Sequence, residues 1–434
     1  MVEPPVGRDR MEPLATGFGF TGGAVRRHSP AVPAPRRPRV LLVDHVSKVM
    51  GGAEMNVVDL LGHPAARAAW DVTVACAPDG PLARAMAAQG WPLRGHAFGA
   101  ALNELRVVGR RFDPMAKFRG WRELQHATNR LKALVAEVRP DVLLSCTNKD
   151  HFAAGAAGQA LGIRTLWWVN DILSADFFGW PVRKVFAARA RRHAPTLAAV
   201  SEFGRNALIR EGIPAGSVRT VHNGISPERY RRDGTRPLRR ELGIAEGEPL
   251  YGVVGRLTAW KGQDVFLRVA KAWAREGKPG KFVVIGGAFN EDEPFAAHLK
   301  EYVRLHGLGE RVRFVPFLPD VVGALSSLDV LLHTSTKPEP FGRVLIEAMA
   351  VGVPVIASRE GGVPEIVTHD HDGGLVAPGD VAGYVALLAG LAGDPARWGR
   401  WRDAGLETVR RRFTLDRVFR DWDGLIRAGW ETDG

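Results

Sequence analysis

The stretch Val330-Leu-Leu-His-Thr-Ser-Thr-Lys-Pro-Glu-Pro-Phe-Gly-Arg-Val-Leu-Ile-Glu347 contains a complete transition from strand to helix. The apolar run Val330–Ser335 predicts a strand, a loop rich in Pro and Gly follows, and a helix is predicted to begin near Gly342. Strand, short loop and helix form the repeating unit of a parallel α/β sheet. Such sheets bind ligands beyond the carboxyl ends of their strands, where Glu339 and Glu347 of this stretch lie.

The same alternation extends along most of the chain. Before residue 222 the apolar runs are Val40–Val43, Val72–Cys76, Val142–Cys146, Thr165–Val169 and Leu197–Val200, with helical stretches such as Trp121–Val138 and Val182–His193 between them. After a pause rich in Gly, Pro and Arg over residues 222–249, the runs are Leu250–Gly255, Phe282–Gly287, Val312–Phe317, Val330–Ser335 and Pro354–Ser358. The pattern predicts an α/β fold of two Rossmann-like parallel-sheet domains, residues 39–225 and 245–410, facing each other across a cleft. Residues 1–38, rich in Pro, Gly and Arg, are expected to be a disordered tail.

Composition narrows the class of protein. At 434 residues, with 45% hydrophobic and 24% charged residues, the chain is typical of a soluble globular enzyme. It has no run of about 18 apolar residues and no signal-peptide pattern at its start, so we expect a cytoplasmic protein. Cys76 and Cys146 are expected to be reduced, buried thiols rather than a disulfide, metal or catalytic pair. The net charge of +12 fits phosphate ligands, an anionic acceptor or an anionic lipid surface, and no nucleic-acid-binding motif is visible.

Two cations lie five residues apart in Gly255-Arg256-Leu-Thr-Ala-Trp-Lys261-Gly262, a loop that opens a helix. Fixed cations can stabilise the negative charge that builds on a departing diphosphate. Gly255, which has no side chain, could let the main chain come close to that diphosphate. Glu339 and Glu347 could hold the hydroxyls of the same ligand. Carboxylates for hydroxyls and cations for phosphates predict a nucleotide-sugar site. The alternatives are a surface ion pair, a helix-terminal salt bridge for Glu347 and a solvated loop for Glu339.

Backbone groups are expected to complete this site. At the start of the helix, Phe341, Gly342 and Arg343 could donate their N–H groups to phosphate or sugar. Gly51 and Gly52, after the first strand, could admit the donor diphosphate or the acceptor, or could form a plain turn. Glu54 is interpreted as a favourable charge in the first helical turn.

In these pieces the chain resembles the retaining glycosyltransferases of family 4. The matching segments are Glu339–Glu347, Gly255-Arg256…Lys261-Gly262, Asn223-Gly224, Gly361-Gly362-Val363-Pro364-Glu365 and Gly51-Gly52-Ala53-Glu54. The resemblance implies the GT-B fold, with a C-terminal helix of about residues 415–434 crossing back onto the first domain. It implies that Glu347 holds the nucleotide ribose and that Glu339 lies near the donor sugar.

The resemblance also implies an activity. A hexose would move, with retention and without an obligatory metal, from a UDP- or GDP-sugar to a hydroxyl of a small-molecule acceptor, such as a secondary metabolite, or of a lipid-linked one. The nucleotide sugar is a co-substrate, and no other cofactor is expected. Two alternatives stay open: a GT-B sugar-nucleotide epimerase or phosphorylase, and a non-catalytic nucleotide-sugar-binding module.

The chain departs from the family at Asn170-Asp171, where many members carry His near the end of this strand. Asn170 can hold a hydroxyl but cannot act as a base at neutral pH. Asp171 could accept a proton or bind an amino-bearing acceptor. We favour a positioning role for Asn170 on the acceptor side, and the alternative is that the pair caps the following helix.

Two basic stretches are interleaved with aromatic residues. The first comprises Arg106, Arg110, Arg111, Phe112, Lys117, Phe118, Arg119, Trp121 and Arg122, and the second comprises Phe177, Phe178, Trp180, Arg183, Lys184, Arg189, Arg191 and Arg192. Solvated helix faces are the favoured interpretation, and peripheral contact with an anionic membrane is the alternative. His222 and His333 are interpreted as core residues with satisfied hydrogen bonds.

Overall fold

The computed structural model of the chain describes residues 36–46, 50–99, 114–193, 195–231, 234–289, 292–318 and 320–428. Nearly all of the predicted tail of residues 1–38, and Arg106, Arg110, Arg111 and Phe112 of the first basic stretch, lie outside these ranges. The described chain contains two parallel sheets of seven and six strands.

The first sheet has the strand order β3-β2-β1-β4-β5-β6-β7. Its strands are β1 (Arg39–Asp44), β2 (Asp71–Cys76), β3 (Leu93–Gly95), β4 (Val142–Ser145), β5 (Arg164–Val169), β6 (Thr196–Ala199) and β7 (Val218–Thr220). In the centre, Val43 pairs in parallel register with both Ala75 and Ser145, and neighbouring strands are joined by crossovers.

The second sheet has the order β10-β9-β8-β11-β12-β13. Its strands are β8 (Leu250–Val254), β9 (Lys281–Ile285), β10 (Val312–Val315), β11 (Val330–His333), β12 (Val355–Ser358) and β13 (Gly374–Val376). Because β8 lies beside β11, the loops that follow these two strands emerge next to each other at the carboxyl edge.

Helices connect the strands and cover both faces of each sheet. They are α1 (Gly52–Gly62), α2 (Ala66–Ala69), α3 (Pro81–Ala88), α4 (Pro114–Val138), α5 (Asn148–Leu161), α6 (Trp180–His193), α7 (Glu202–Arg210), α8 (Pro237–Glu241), α9 (Gln263–Arg275), α10 (Glu293–Leu305), α11 (Val322–Ser326), α12 (Arg343–Ala350), α13 (Val381–Ala392), α14 (Pro395–Arg412) and α15 (Leu415–Arg427). Local signals set several ends: Thr147 caps α5, and Gly162 ends it with φ of 69°. Within the described ranges, no helix combines the length and apolar character that crossing a bilayer requires.

The predicted parallel-sheet fold is confirmed, and each predicted strand lies within two residues of an observed one. Three further strands, β3, β7 and β13, had no apolar run long enough to predict them. Each has only three residues, and β3 and β13 each contain a Gly. Their pairing depends on the neighbouring strand more than on their own sequence.

Helix α15 packs on the first sheet although it follows the second in the chain. The ring of Trp422 lies 4.6 Å from that of Trp168 in β5, and both side chains are fully buried. The guanidinium of Arg164, at the start of β5, donates to the carbonyl of Ile426 at 3.1 Å. The chain therefore crosses from the second domain back to the first just before α15.

The two cysteines are free and buried, as expected. Burial raises the pKa of Cys76 to about 11 and that of Cys146 well above its usual range. Neither thiol is therefore a ready nucleophile at neutral pH.

Candidate functional site

Glu339 lies at the carboxyl edge of the second sheet and is only 7% exposed. Lys261 donates to both of its oxygens, at 2.9 Å to Oε1 and 2.7 Å to Oε2. His333 Nε2 and Ser335 Oγ each lie 3.1 Å from Oε2. Burial alone would raise the pKa of Glu339, but the Lys261 ammonium and the His333 hydrogen bond outweigh it and hold the pKa well below its usual range. Glu339 is therefore a fixed, buried anion and not a solvated loop residue.

The backbone of Glu339 is held by the Gly361-Gly362 pair. Gly361 has φ of 70°, and a Cβ on it would lie 2.4 Å from the nitrogen of Glu339. The N–H of Gly362 donates to the carbonyl of Glu339 at 2.8 Å. Only glycine fits position 361, because any side chain there would collide with the main chain that presents Glu339.

The loop of residues 255–262 lies against the loop that follows β11. A Cβ on Gly262 would fall 1.9 Å from the Thr334 carbonyl oxygen, so the two backbones touch. This contact brings Lys261 to Glu339. The side chain of Arg256 is 48% exposed, and its Nε lies 3.1 Å from Oδ2 of Asp292. The N–H of Gly255 donates to the carbonyl of Ile285 at 3.0 Å, so this glycine shapes the loop rather than offering a free donor.

Glu347, one turn into α12, is 8% exposed and belongs to a buried polar network. Its Oε1 accepts from Arg343 Nε at 2.7 Å and from the Tyr230 hydroxyl at 3.0 Å. The Arg343 guanidinium also donates to Asn56 at 2.7 Å and to Asp59, both in α1 of the first domain. Within the described ranges Oε2 of Glu347 has no hydrogen bond. The helix-terminal salt bridge considered above is thus present, yet it leaves one oxygen of Glu347 available to a ligand.

The start of α12 presents unused backbone donors. Gly342 has φ of 104° and precedes the first turn of the helix. Neither Phe341 nor Gly342 donates its N–H to any described group. The Phe341 side chain is buried, with its ring 5.9 Å from that of His222 and 5.6 Å from that of Phe413. Among the described residues the backbone N–H groups of Phe341 and Gly342 have no acceptor, while the Arg343 side chain turns to the first domain.

Gly51 and Gly52 lie at the start of α1 and are both exposed. The N–H of Gly51 donates to Oε2 of Glu54 at 2.6 Å. Glu54 is confirmed as the acid of the first helical turn, and its side chain is in addition buried and closes that turn of α1. A Cβ on Gly52 would meet no atom of the described residues within 4 Å, so these residues leave the position open to a ligand.

Asn170 and Asp171 follow β5 at the carboxyl edge of the first sheet. The amide of Asn170 donates to the carbonyls of Cys146 and Trp168, at 3.3 and 3.2 Å. Asp171 is exposed and accepts from Asn148 at 2.8 Å. The alternative that this pair caps the following helix was wrong, because α6 begins only at Trp180.

Two further buried carboxylates lie at the same edge and were missed by the sequence analysis. Asp150 accepts from His45 and His96, each at 2.9 Å. Burial alone would raise the pKa of Asp150, but the two imidazoles hold it well below its usual range. Burial, together with Glu54 and Asp150, raises the pKa of Asp44 well above its usual range. Among the described residues, Oδ2 of Asp44 is buried and has no hydrogen-bond partner. A single carboxylate at a strand end, like Asp44, or in a first helical turn, like Asp150, has no sequence pattern that reveals its burial.

Glu365 of the Gly361–Glu365 segment joins the two domains. Its carboxylate accepts from the N–H groups of Glu202 and Phe203, the first residues of α7, each at 2.8 Å. His222 Nε2 donates to the same carboxylate, also at 2.8 Å. His333 is buried and bonded to Glu339, as described above. Both histidines thus have carboxylate partners, and His333 belongs to the site rather than to the core alone.

The basic and aromatic stretches lie partly on the surface. Phe118 and Trp121 in α4 are 52% and 53% exposed and stack with their ring centroids 6.1 Å apart. Trp180 at the start of α6 is also exposed. In the described part of the chain no group of three or more His, Cys, Asp or Glu side chains is suited to hold a metal ion.

Two family models match consecutive parts of the chain. The model described as Glycosyltransferase Family 4 matches residues 50–229, which carry most of the first sheet. The model described as Glycosyl transferases group 1 matches residues 235–407, which carry the second. Together they include both walls of the cleft.

Curated relatives match over part of their length. The chain is 32% identical over 206 residues to D-inositol 3-phosphate glycosyltransferase 2 of Catenulispora acidiphila, which covers 46% of this chain and 48% of the relative. It is 34% identical over 185 residues to 2-deoxystreptamine N-acetyl-D-glucosaminyltransferase of Streptomyces fradiae, which covers 42% of each. The chain thus spans about half the length of the curated relatives it matches.

A solved structure extends the likeness to nearly the whole chain. The Anabaena protein HepE, in complex with UDP and glucose, superposes with a TM-score of 0.78 over 90% of this chain and 100% of that one, at 23% identity. At this identity the likeness concerns the fold. Both sheets and both family matches lead to one assignment: the chain belongs to the group 1, family 4 glycosyltransferases and has the GT-B fold.

Proposed function

We propose that the protein is a retaining glycosyltransferase that moves a hexose from a UDP- or GDP-sugar to a hydroxyl of a small-molecule or lipid-linked acceptor. The observation that carries the proposal is the buried Glu339 carboxylate, clamped by Lys261 at the edge where Glu347 and the free N–H groups of Phe341 and Gly342 also lie. The cation suits the diphosphate, the two carboxylates suit the hydroxyls of the sugar and the ribose, and the backbone N–H groups suit phosphate or sugar. One cluster of loops therefore offers partners for every part of a nucleotide sugar.

The proposed roles follow from charge. Lys261 and Arg256 bind the diphosphate and stabilise the charge that develops as it leaves. Glu339, kept ionised by its partners, stabilises the positive anomeric carbon or holds a sugar hydroxyl. Oε2 of Glu347 accepts from the ribose, while Arg343 and Tyr230 fix its other oxygen. Each group is already held in place, so little reorganisation precedes the reaction.

Retention requires the acceptor to attack from the face that the diphosphate leaves. In that geometry a phosphate oxygen lies beside the incoming hydroxyl and can take its proton, so no protein base is needed. Asn170 and Asp171 on the facing wall then orient the acceptor. The two curated relatives described above are named for small acceptors, D-inositol 3-phosphate and 2-deoxystreptamine, which supports a small-molecule acceptor here.

The donor half of the proposal can be tested first. A thermal-shift screen of the full chain against UDP- and GDP-sugars should find one class that raises the melting temperature, because only the folded protein binds it. NMR of the product formed with a matched acceptor should show an anomeric configuration equal to that of the donor. An inverted product would overturn the retaining mechanism.

The same reaction mixture separates the alternatives. Free nucleotide formed only with acceptor indicates transfer, whereas isomerised nucleotide sugar indicates an epimerase. A sugar phosphate formed with added phosphate indicates a phosphorylase. Nucleotide-sugar binding without any product, across a panel of polyol and aminocyclitol acceptors, would indicate a binding module.

Peripheral membrane contact is a second proposal, favoured by the exposed Phe118–Trp121 pair. Aromatic rings beside basic side chains bind the surface of anionic bilayers. The protein should co-sediment with vesicles of phosphatidylglycerol more than with phosphatidylcholine, and Phe118→Ser with Trp121→Ser should abolish the difference. Leu305→Ser, at a still more exposed apolar site on α10, is the control. Equal sedimentation of all three proteins would contradict membrane contact through α4.

A further inference from the structure

The segment of residues 170–179 between β5 and α6, here called the cleft loop, belongs to the first domain but contacts the second. Its first residues are tied to the first domain by the Asn170 and Asp171 hydrogen bonds described above. Near its other end, the ring of Phe177 meets the ring of Trp260 edge to face, with centroids 5.6 Å apart and planes at 85°. Trp260 immediately precedes Lys261, so the contact reaches the phosphate-binding loop.

A second contact holds the same end of the loop. The ammonium of Lys337 donates to the carbonyl of Asp176 at 2.7 Å. It also lies 5.6 Å from the centroid of the Phe177 ring. Lys337 is two residues before Glu339, so Phe177 lies between the two loops that carry Lys261 and Glu339.

Trp260 connects Phe177 to Lys261. The Nζ atom of Lys261 lies 4.3 Å from the centroid of the Trp260 ring, within range of a cation–π interaction. The main chain of Trp260 is fixed from the second domain, where its carbonyl accepts from Thr336 at 2.8 Å. The edge-to-face contact with Phe177 is therefore a restraint on the Trp260 ring that comes from the opposite domain.

We infer that Phe177 is a positioning residue for the phosphate-binding cation: it fixes Trp260, and Trp260 fixes Lys261. The inference rests on the proposed function, because it assumes that Lys261 binds the donor diphosphate. The Phe177 side chain has no group that can bind phosphate, and of its two contacts across the cleft it is Trp260 that touches Lys261. The affinity for the donor then depends on a side chain of the first domain. That side chain lies on the same loop as Asn170 and Asp171, which are proposed to orient the acceptor.

Titration calorimetry with UDP and with GDP tests the inference on the full chain. Phe177→Ala should weaken binding of the preferred nucleotide about tenfold, while Phe177→Tyr, which keeps the ring, should bind within about twofold of wild type. Trp180→Ala is the matched control, since Trp180 is an exposed aromatic three residues away. Wild-type affinity in Phe177→Ala would overturn the inference.

A double-mutant cycle tests the route through Trp260. Trp260→Ala should weaken nucleotide binding, and adding Phe177→Ala should weaken it no further. If the double variant loses affinity by the product of the two single losses, the route through Trp260 is overturned. A fall in affinity for Phe177→Tyr as large as for Phe177→Ala would overturn it as well. If wild type binds neither UDP nor GDP, the proposed function fails and the inference with it. If wild type binds and Phe177→Ala binds equally, the inference alone fails.

Discussion

The ammonium of Lys261 spans both carboxylate oxygens of Glu339, at 2.9 and 2.7 Å. Glu339 is 7% exposed, so this cation neutralises a nearly buried charge as well as facing the proposed diphosphate. Arg256 differs, because its own side chain is 48% exposed, although its partner Asp292 is nearly as buried as Glu339. The two cations should therefore have equal roles in turnover and unequal roles in stability.

Replacing each cation should separate these roles. Lys261→Ala and Arg256→Ala should each lower turnover at least about 100-fold, as expected for loss of one preorganised charge donor. Lys261→Ala should also cost about 3 kcal/mol of unfolding free energy, because it leaves a buried carboxylate unpaired. Arg256→Ala should cost less, about 1 kcal/mol at most, because solvent partly screens the pair between its half-exposed guanidinium and the nearly buried Asp292. Urea denaturation and initial rates measure both effects.

The control variant also removes the Glu339 charge, which Lys261→Ala leaves without its cation. Glu339→Gln combined with Lys261→Ala should restore most of the lost stability without restoring turnover. Near-wild-type rates in both single variants would contradict the assignment of these cations to the diphosphate.

Asp44 provides a pH-dependent prediction. Burial raises the pKa of its carboxyl group, so it stays protonated in the folded protein over a range above about pH 3.9, where the unfolded chain has ionised. Folding stability should therefore decline as pH rises through that range. Asp44→Asn mimics the neutral acid and keeps the acceptor for the Val46 N–H. It should raise the melting temperature at pH 8 by about 2–4 °C and leave it unchanged near pH 3.5.

The matched control for Asp44 is Asp71→Asn, an exposed carboxylate at the start of β2. Calorimetric scans of the three proteins at both pH values measure the effect. A lower melting temperature for Asp44→Asn at pH 8 would mean that the ionised Asp44 carboxylate stabilises the fold.

Asn170 and Asp171 should act on the acceptor and not on the donor. Asn170→Ala should lower kcat/KM for the acceptor about 10- to 100-fold through lost orientation, with nucleotide affinity nearly unchanged. Asp171→Asn, which keeps a partner for Asn148, should retain at least a tenth of the rate. Initial rates beside calorimetry check both. Abolished transfer in Asp171→Asn with both substrates still bound would identify Asp171 as a base. Full rates in both variants would place the acceptor elsewhere on the first domain.

Transfer should persist in EDTA, since the proposed diphosphate ligands are cationic side chains and backbone N–H groups. Initial rates before and after chelation, with Mg²⁺ and Mn²⁺ added back, measure this. Complete loss in EDTA with rescue by either ion would show that a metal neutralises the diphosphate.

Most residues of the proposed donor site could be grouped from the sequence because they lie close together in the chain. Glu339, Gly342 and Glu347 follow one strand, and their spacing alone indicated a loop and a helix start. The ion pair from Lys261 to Glu339 could not be predicted that way. It exists because β8 lies beside β11, a neighbour relation that follows from crossover topology and not from spacing.

Contacts between the two domains could not be predicted from sequence spacing either. Arg343 was placed at the helix start by its position, but its side chain turns to Asp59, far away in the sequence. Glu54 was underestimated for a related reason: its local position is that of an ordinary first-turn acid, and only the packing around α1 buries it. Burial of a charged side chain depends on which helices and domains pack against it. The hydrophobic periodicity of the sequence does not predict that packing.

The return of α15 to the first sheet has a consequence during synthesis. The strands of that sheet are complete once Thr220 has left the ribosome, but the side chain of Trp168 lacks its cover until Trp422 emerges. At about 5–20 residues per second, translation leaves this apolar surface open for on the order of 10–40 s. During that interval the nascent first domain is a natural client for a chaperone, and a messenger that slows translation within the second domain would prolong the exposure.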